Sequence, residues 1–599
     1  MRCDGSENRI RHRTRLEHHL IGKYLRVSAA GVACVVAVAA GWSSVDDPAI
    51  PPRVPAVFPA GWSHPSGSKA TFARHAVVAS NSAIASGAGV EVMRAGGNAV
   101  DAAVATGFAL AVAFPEAGNL GGGGYMVIRM ADGRVAALDY REVAPLSATK
   151  DMYVGPDGKV SGSVIGPRAS GVPGSVAGMV EAHRRFGVLP LAKLMGPALR
   201  LATEGFVVDS TFRGSLVAGK YRIASFAGKD VFFPRGDAPQ VGTRLVQPQL
   251  ARTLRAIAQQ GAAGFYRGAV ADSIASAMER EGGLITREDL ARYRPVWRQP
   301  LRSTYRGYSL ISMPPSSSGG TTITELLNIL EAYGPPAAFG SAQEVHALAS
   351  ASQRAFVDRN SKLGDPAFVN VPLASLTSKG YAQRLSKSIV RDRATRTTVI
   401  AAPMREGSET THYSVVDAAG NAVATTTTLN DLYGSGVYVS GAGFFLNDEM
   451  DDFTTKPGTP NMYGLIQGEA NAIAPGKRML SAMSPTIVLD PKGQLLLVTG
   501  ARGGPRIISA TSQIIINVID HRMSLADAMS APRIHHQALP DSIRVETGGL
   551  APDVIARLRQ MGYFVYEQSG IAQASSVMRV KGGYEGMDDP RSRGAAVGY

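Results

Sequence analysis

The chain has 599 residues, 45% hydrophobic and 18% charged, enough apolar material for a large core and too little charge for a disordered chain. Its formal charge is +14, of which seven basic against three acidic residues place +4 in residues 1–26; the rest is scattered. Scattered charge argues against a nucleic-acid binder, which needs a focused patch, and suits attraction of small anionic substrates.

Arg9, Arg11, Arg13, Arg15, Lys23 and Arg26 precede an apolar run from Val27 to Ala40, which gives way to Gly41-Trp42-Ser43-Ser44. A charged head, a short apolar centre and a small-residue exit predict a secretory signal or N-terminal anchor over residues 1–44, and so an exported, periplasmic or extracellular protein. The run is short for a membrane span. Residues 45–70, rich in Pro and Val, read as a linker. Both cysteines, Cys3 and Cys34, lie in the leader, so the body has no disulfide, thiol nucleophile or thiolate zinc site.

Ala83–Arg94 has helical spacing and stops at Gly96-Gly97. Asn98 can cap a second helix, Ala99–Val112, which ends before Pro115. Gly121–Gly124 leads into a strand, Tyr125–Met130, and a second strand follows at Val135–Tyr140. With no Gly-Lys-Ser/Thr after the glycines, close backbone packing is a better reading than a phosphate loop. Residues 168–300 read as mostly helical, with segments such as Val176–Phe186 and Gln249–Gln260. Thr321–Tyr333 and Ala342–Val357 continue that character. From Thr410 the texture turns to strands: His412–Asp417, Ala422–Leu429, Pro485–Leu489 and Leu495–Val498. Helices around packed strands predict a layered α/β fold.

The richest chemistry lies around Thr410. His412–Asp417 and Ala422–Leu429 flank Ala418-Ala419-Gly420-Asn421, a turn-prone tetrapeptide. If Asp417 faces Ala422, Thr410 falls opposite Leu429, give or take one residue. Alternation puts Thr426, Thr428 and Asn430 on one face, beside Thr410. A mid-chain threonine is a poor nucleophile. At a new N-terminus its own α-amine, with a pKa of about 7.7–8.0, can take the hydroxyl proton. The same pattern also fits a threonine-rich exposed strand, because threonine favours strands. His412 is two residues from Thr410, but same-face neighbours along a strand are roughly 7 Å apart.

Thr410–Ser414, Thr428, Asn430, Met450-Asp451-Asp452-Phe453, Ser481–Pro485 and Gly503-Gly504 resemble the small subunit of γ-glutamyltransferases (γ-glutamyltranspeptidases). The resemblance extends upstream through Gly96–Ala103, Asn119–Gly124 and Asp139–Glu142, and on to Asp589-Pro590-Arg591 and Gly598-Tyr599. It covers roughly residues 70–599. It implies an α/β fold, the four-layer αββα sandwich of N-terminal-nucleophile hydrolases, as one catalytic unit made of two autoprocessed subunits. The implied cut falls between Glu409 and Thr410, giving a large subunit, 71–409, and a small catalytic subunit, 410–599, that stay together as a heterodimer. The implied activity is transfer of a γ-glutamyl group from glutathione or another γ-glutamyl compound to water or to an amino acid or peptide amine. By the same resemblance Thr410 is the nucleophile, Thr428 orients its amine, and Gly503 and Gly504 form the oxyanion hole. Arg141 and Ser481 would take the substrate carboxylate. Asn430, Glu449 and Asp452 would take its ammonium. Pro457–Gly468, with Tyr463, would be a lid. No cofactor and no metal is implied, and His535-His536 is read as structural. Taken singly, Arg141 and Asp452 also fit a surface ion pair.

Two positions depart from the family pattern. Ala482 stands where a second serine is usual, and Arg502 precedes the glycine pair, where it is expected to supply compensating charge. Two other readings remain: a cephalosporin (glutaryl) acylase of the same fold, and an unprocessed, inactive binding homologue.

Overall fold

The structure, a computed structural model, describes residues 53–397 and 410–599. The predicted leader and Glu409 lie outside the described residues.

Two antiparallel sheets stack face to face. One has seven strands in the order Ala595–Gly598, Val77–Ser80, Thr410–Val416, Ala422–Thr428, Gly123–Arg129, Val135–Asp139 and Val296–Arg298. The other runs Thr71–Ala73, Gly583–Asp588, Gln573–Val580, Leu495–Thr499, Thr486–Leu489, Tyr308–Ser312 and Leu301–Tyr305, with Ala501–Arg502 pairing the end of Gln573–Val580. Strand alternation sorts the side chains between layers. Tyr413, Val415 and Val423 join a core with helices Ala83–Arg94 and Ala99–Ala113. Val416, Ala422 and Ala424 join the core between the sheets, which continues to helices Gly319–Tyr333, Ala342–Lys362 and Arg506–Ile519. The result is the four-layer αββα sandwich. A separate core gathers the helices between residues 175 and 281 around Leu429–Leu446.

Local chemistry explains the elements nearest the site. Asn98 caps Ala99–Ala113 by accepting from the Val100 and Asp101 amides, and Asp101 returns a bond to the Asn98 amide. The glycine run is tightly packed, as expected. A Cβ would come within 2.0 Å of the Thr428 carbonyl at Gly122 and within 2.3 Å of the Thr426 carbonyl at Gly124. Only glycine lets this strand lie so close to the one carrying Thr428.

The hairpin register differs by one residue from the expected pairing. Val416, not Asp417, faces Ala422, so Thr410 faces Thr428. Asp417 is spent in the turn, where its Oδ1 accepts from the amides of Ala419 and Asn421.

Candidate active site

Thr410 opens the central strand Thr410–Val416, which is bonded to Val77–Ser80 on one side and Ala422–Thr428 on the other. The strand is paired on both sides from Tyr413 to Val416, and Thr410 itself pairs with Thr428. Across the ladder, the Thr428 hydroxyl accepts from the Asn430 amide at 2.8 Å. Asn430 sits at φ 82, a left-handed conformation that asparagine tolerates, so the chain turns sharply out of the strand. Its side-chain amide donates to the Asp448 carbonyl at 3.0 Å. Asp448 is itself fixed by buried Arg222 at 3.2 Å.

Thr410, Thr428, Asn430, Arg141, Asp452, Tyr463, Ser481 and Gly504 line one cleft. Ala482, Met483, Leu465 and Ile507 contribute to its walls, as does Arg359, which sequence reasoning missed. Arg359 lies on helix Ala342–Lys362. It follows Ala355 and Phe356 on that helix's buried stripe, and a cation at helical spacing from buried apolar residues was the signal available.

Gly503 and Gly504 precede helix Arg506–Ile519 and have φ of 128 and 56, backbone that favours glycine. Among the described residues neither amide donates to another protein group. Gly504 borders the cleft and Gly503 does not. The N-terminal end of a 14-residue helix adds positive potential there.

Arg141 is 1% exposed, which removes the surface-ion-pair reading. Its guanidinium meets Glu449 at 2.7 Å, Asp452 at shorter range and Glu142 at 3.7 Å. Burial opposes its charge, but these carboxyls outweigh burial and hold its pKa above the ordinary range. Burial also raises the carboxyls: Glu142 is pushed up to about 8, while Glu449 and Asp452 rise against the pull of Arg141. Glu449 does not border the cleft. It stands against the Arg141 guanidinium at 2.7 Å.

Ser481 borders the cleft, and its hydroxyl accepts from the Met483 amide at 3.1 Å. The Arg502 side chain, expected to supply compensating charge, is engaged outside the cleft. Its Nε donates to Gln573 at 2.7 Å, its Nη1 lies 3.7 Å from Glu116, and it borders no part of the cleft.

His412 is fully buried beneath the site. Its Nδ1 lies 2.8 Å from the Thr426 hydroxyl and its Nε2 lies 3.2 Å from the Ser414 hydroxyl. Burial lowers its pKa to about 3, so it stays neutral at working pH. His535 is likewise buried and lowered to about 3, which suits a structural role.

From the segment Pro457–Gly468, Tyr463 and Leu465 line the cleft. Tyr463 donates from its hydroxyl to the Asn430 carbonyl at 2.6 Å. Its ring faces Gly504, where a Cβ would sit 3.1 Å away. The Met462 amide donates to Asp451 at 2.9 Å, and the Asn461 side chain donates to Asp452 at 3.4 Å.

An αββα sandwich with a threonine heading a central strand, beside glycine amides that donate to no other protein group among the described residues, is the architecture of N-terminal-nucleophile hydrolases. Residues 85–599 match the Gamma-glutamyltranspeptidase family, and the chain belongs to that family. A glutathione hydrolase proenzyme from Pseudomonas sp. (strain A14) is 47% identical over 552 residues, covering 88% of this chain and 95% of that protein. The protein of the same description from Escherichia coli (strain K12) is 46% identical over 532 residues, covering 87% and 91%. A crystal structure of a cephalosporin acylase from Bacillus halodurans superposes with a TM-score of 0.79 at 28% identity, covering 90% of this chain and 99% of that one.

Proposed function

We propose that the chain is an autoprocessing glutathione hydrolase and γ-glutamyltransferase with Thr410 as nucleophile. The observation that carries this is the pairing of Thr410 with Thr428 at the floor of a cleft that also holds Arg141, Asp452 and Gly504.

In processing, the Thr410 hydroxyl attacks the Glu409 carbonyl and the acyl group moves from nitrogen to oxygen. That shift breaks the amide and frees the α-amine of Thr410; water then cleaves the ester, returning the Thr410 hydroxyl and leaving a carboxylate on Glu409, which gives subunits 71–409 and 410–599. In turnover, the amine takes the proton as Thr410 Oγ attacks the γ-glutamyl carbonyl carbon. The Gly503 and Gly504 amides receive the developing oxyanion, where one donor is worth about 3 kcal/mol. The C–N bond breaks and the leaving amine takes the proton. Water, or the amine of an amino acid or peptide, then accepts the γ-glutamyl group from Thr410. The Thr428 hydroxyl orients the amine. Asn430 and Asp452 face the substrate ammonium, Arg141 and Ser481 its carboxylate, and Tyr463 closes the cleft. The export assignment for residues 1–44 belongs to this proposal. No helix among the described residues is long and apolar enough to cross a membrane.

The acylase reading draws support from the fold neighbour and from Ala482, whereas 46–47% identity to two glutathione hydrolase proenzymes favours the γ-glutamyl donor. Turnover of γ-glutamyl-p-nitroanilide against a glutaryl-cephalosporin separates the two. The γ-glutamyl donor is expected to be faster by at least tenfold. Faster release from the glutaryl compound would overturn the assignment.

A further inference from the structure

Thr428 is the last residue of its strand. Ala422–Thr428 ends there, and the chain turns away at Asn430 with φ 82. A strand end is where ladder bonds run out, so the buried carbonyls beyond it need other donors. Three groups supply them. The Thr428 carbonyl accepts from Asn119 Nδ2 at 2.9 Å, the Leu429 carbonyl from the Asp448 amide at 2.9 Å, and the Asn430 carbonyl from the Tyr463 hydroxyl at 2.6 Å. Asp448 and Tyr463 follow Thr410 in the chain. Asn119 precedes it, so its bond joins the two sides of the proposed cut.

The carboxamide of Asn119 is 5% exposed and held at both ends. Nδ2 also donates to the Ala117 carbonyl at 2.8 Å, while Oδ1 accepts from the Gly122 amide at 2.8 Å and the Ser175 hydroxyl at 2.7 Å. Two carbonyls on one end and two donors on the other fix which end faces Thr428. A Cβ at Gly122 would lie 2.0 Å from the Thr428 carbonyl and 2.7 Å from Asn119 Oδ1, so glycine there leaves room for the contact. Asn119 does not border the cleft.

We propose that Asn119 is a positioning residue for Thr428: its carboxamide holds the end of strand Ala422–Thr428, and with it the Thr428 hydroxyl, opposite Thr410 both before the cut and after it. This rests on the reading of Thr410 as nucleophile and deepens it. The Thr428 hydroxyl takes its own bond from the Asn430 amide inside the same turn, so a shift of the strand end carries the hydroxyl with it. A displacement of about 1 Å at a reacting site can cost about a hundredfold in rate.

The test compares Asn119→Asp and Ser175→Ala with the wild type. It follows subunit formation of the full chain on denaturing gels, kcat and KM for γ-glutamyl-p-nitroanilide per processed chain, and Tm. Asn119→Asp keeps the shape and the acceptor facing Gly122 and Ser175, but presents an acceptor to the Thr428 and Ala117 carbonyls. Ser175→Ala removes one bond to Oδ1 and leaves both bonds from Nδ2. Asn119→Asp is expected to slow cutting and lower kcat at least tenfold each, with KM within threefold. Ser175→Ala should stay within threefold on all three, even with a lower Tm. A folded Asn119→Asp chain that stays uncut while Ser175→Ala is cut meets the same expectation. The proposal is overturned if Asn119→Asp cuts and turns over within twofold of the wild type, if its KM rises as much as its kcat falls, or if Ser175→Ala loses as much kcat. Should Asn119→Asp give no folded protein, Asn119→Ala is judged by the same criteria. A wild type that is never cut before Thr410 would instead refute the parent reading.

Discussion

At the scale of single residues, the account depends on two hydroxyls facing each other across one ladder. Thr428→Val keeps the shape but removes the acceptor of the Asn430 amide and the partner offered to the Thr410 amine. Steady-state kinetics should show kcat falling by about a hundredfold or more, as expected for a lost proton-transfer aid, while Thr428→Ser stays within about tenfold. His412 is too deeply buried to serve as a base. Its ring packs against Gly500, where a Cβ would lie 2.3 Å from the imidazole. Gly500→Ala should therefore cost about 1–3 kcal/mol by overpacking, read as a lower Tm. The Thr410–Thr428 pairing was legible in sequence because a hairpin's register is set locally by its turn. It came out one residue off because Asp417 joins the turn. Arg359 was harder to see: it reaches the cleft only through the docking of a helix that ends about fifty residues earlier in the chain.

At the scale of elements, the segment 457–468 is tied down at Tyr463, Met462 and Asn461, to Asn430, Asp451 and Asp452 respectively. Asp451 is the titratable tie. Burial raises its pKa to about 6, against the stabilising bonds from the Met462 amide and the Ser163 hydroxyl. The sign follows from which form binds better. Above pH 6 the carboxylate accepts strongly from Met462; below it the protonated acid is the weaker acceptor. The KM for γ-glutamyl donors should rise as pH falls through 6, and Asp451→Asn should flatten that limb. Tyr463→Phe should speed hydrogen exchange across 457–468 and raise KM several-fold without loss of processing. The segment 457–468 was singled out through family resemblance and its Gly and Pro content. Its anchoring to Asp451 was not, because Asp451 and Met462 are brought together only by the folded loop.

At the scale of the whole molecule, a cut before Thr410 does not divide the fold. Each central sheet contains strands from both sides of that point, and Thr410–Val416 lies between Val77–Ser80 and Ala422–Thr428. The two products are expected to co-elute in native gel filtration and to separate only in denaturant. The layered α/β fold was legible in outline from the helical texture before Thr410 and the strand texture after it. Sheet order was not, because neighbouring strands such as Gly123–Arg129 and Ala422–Thr428 are far apart in sequence. The central claim is that this geometry makes Thr410 a chain terminus and then a nucleophile. Intact-mass and N-terminal analysis of the purified protein, beside Thr410→Ala, tests it most directly. The account predicts a fragment beginning at Thr410 in the wild type and a single uncut chain in the variant. An uncut wild type that still releases γ-glutamyl groups, or a cut at another position, would contradict it.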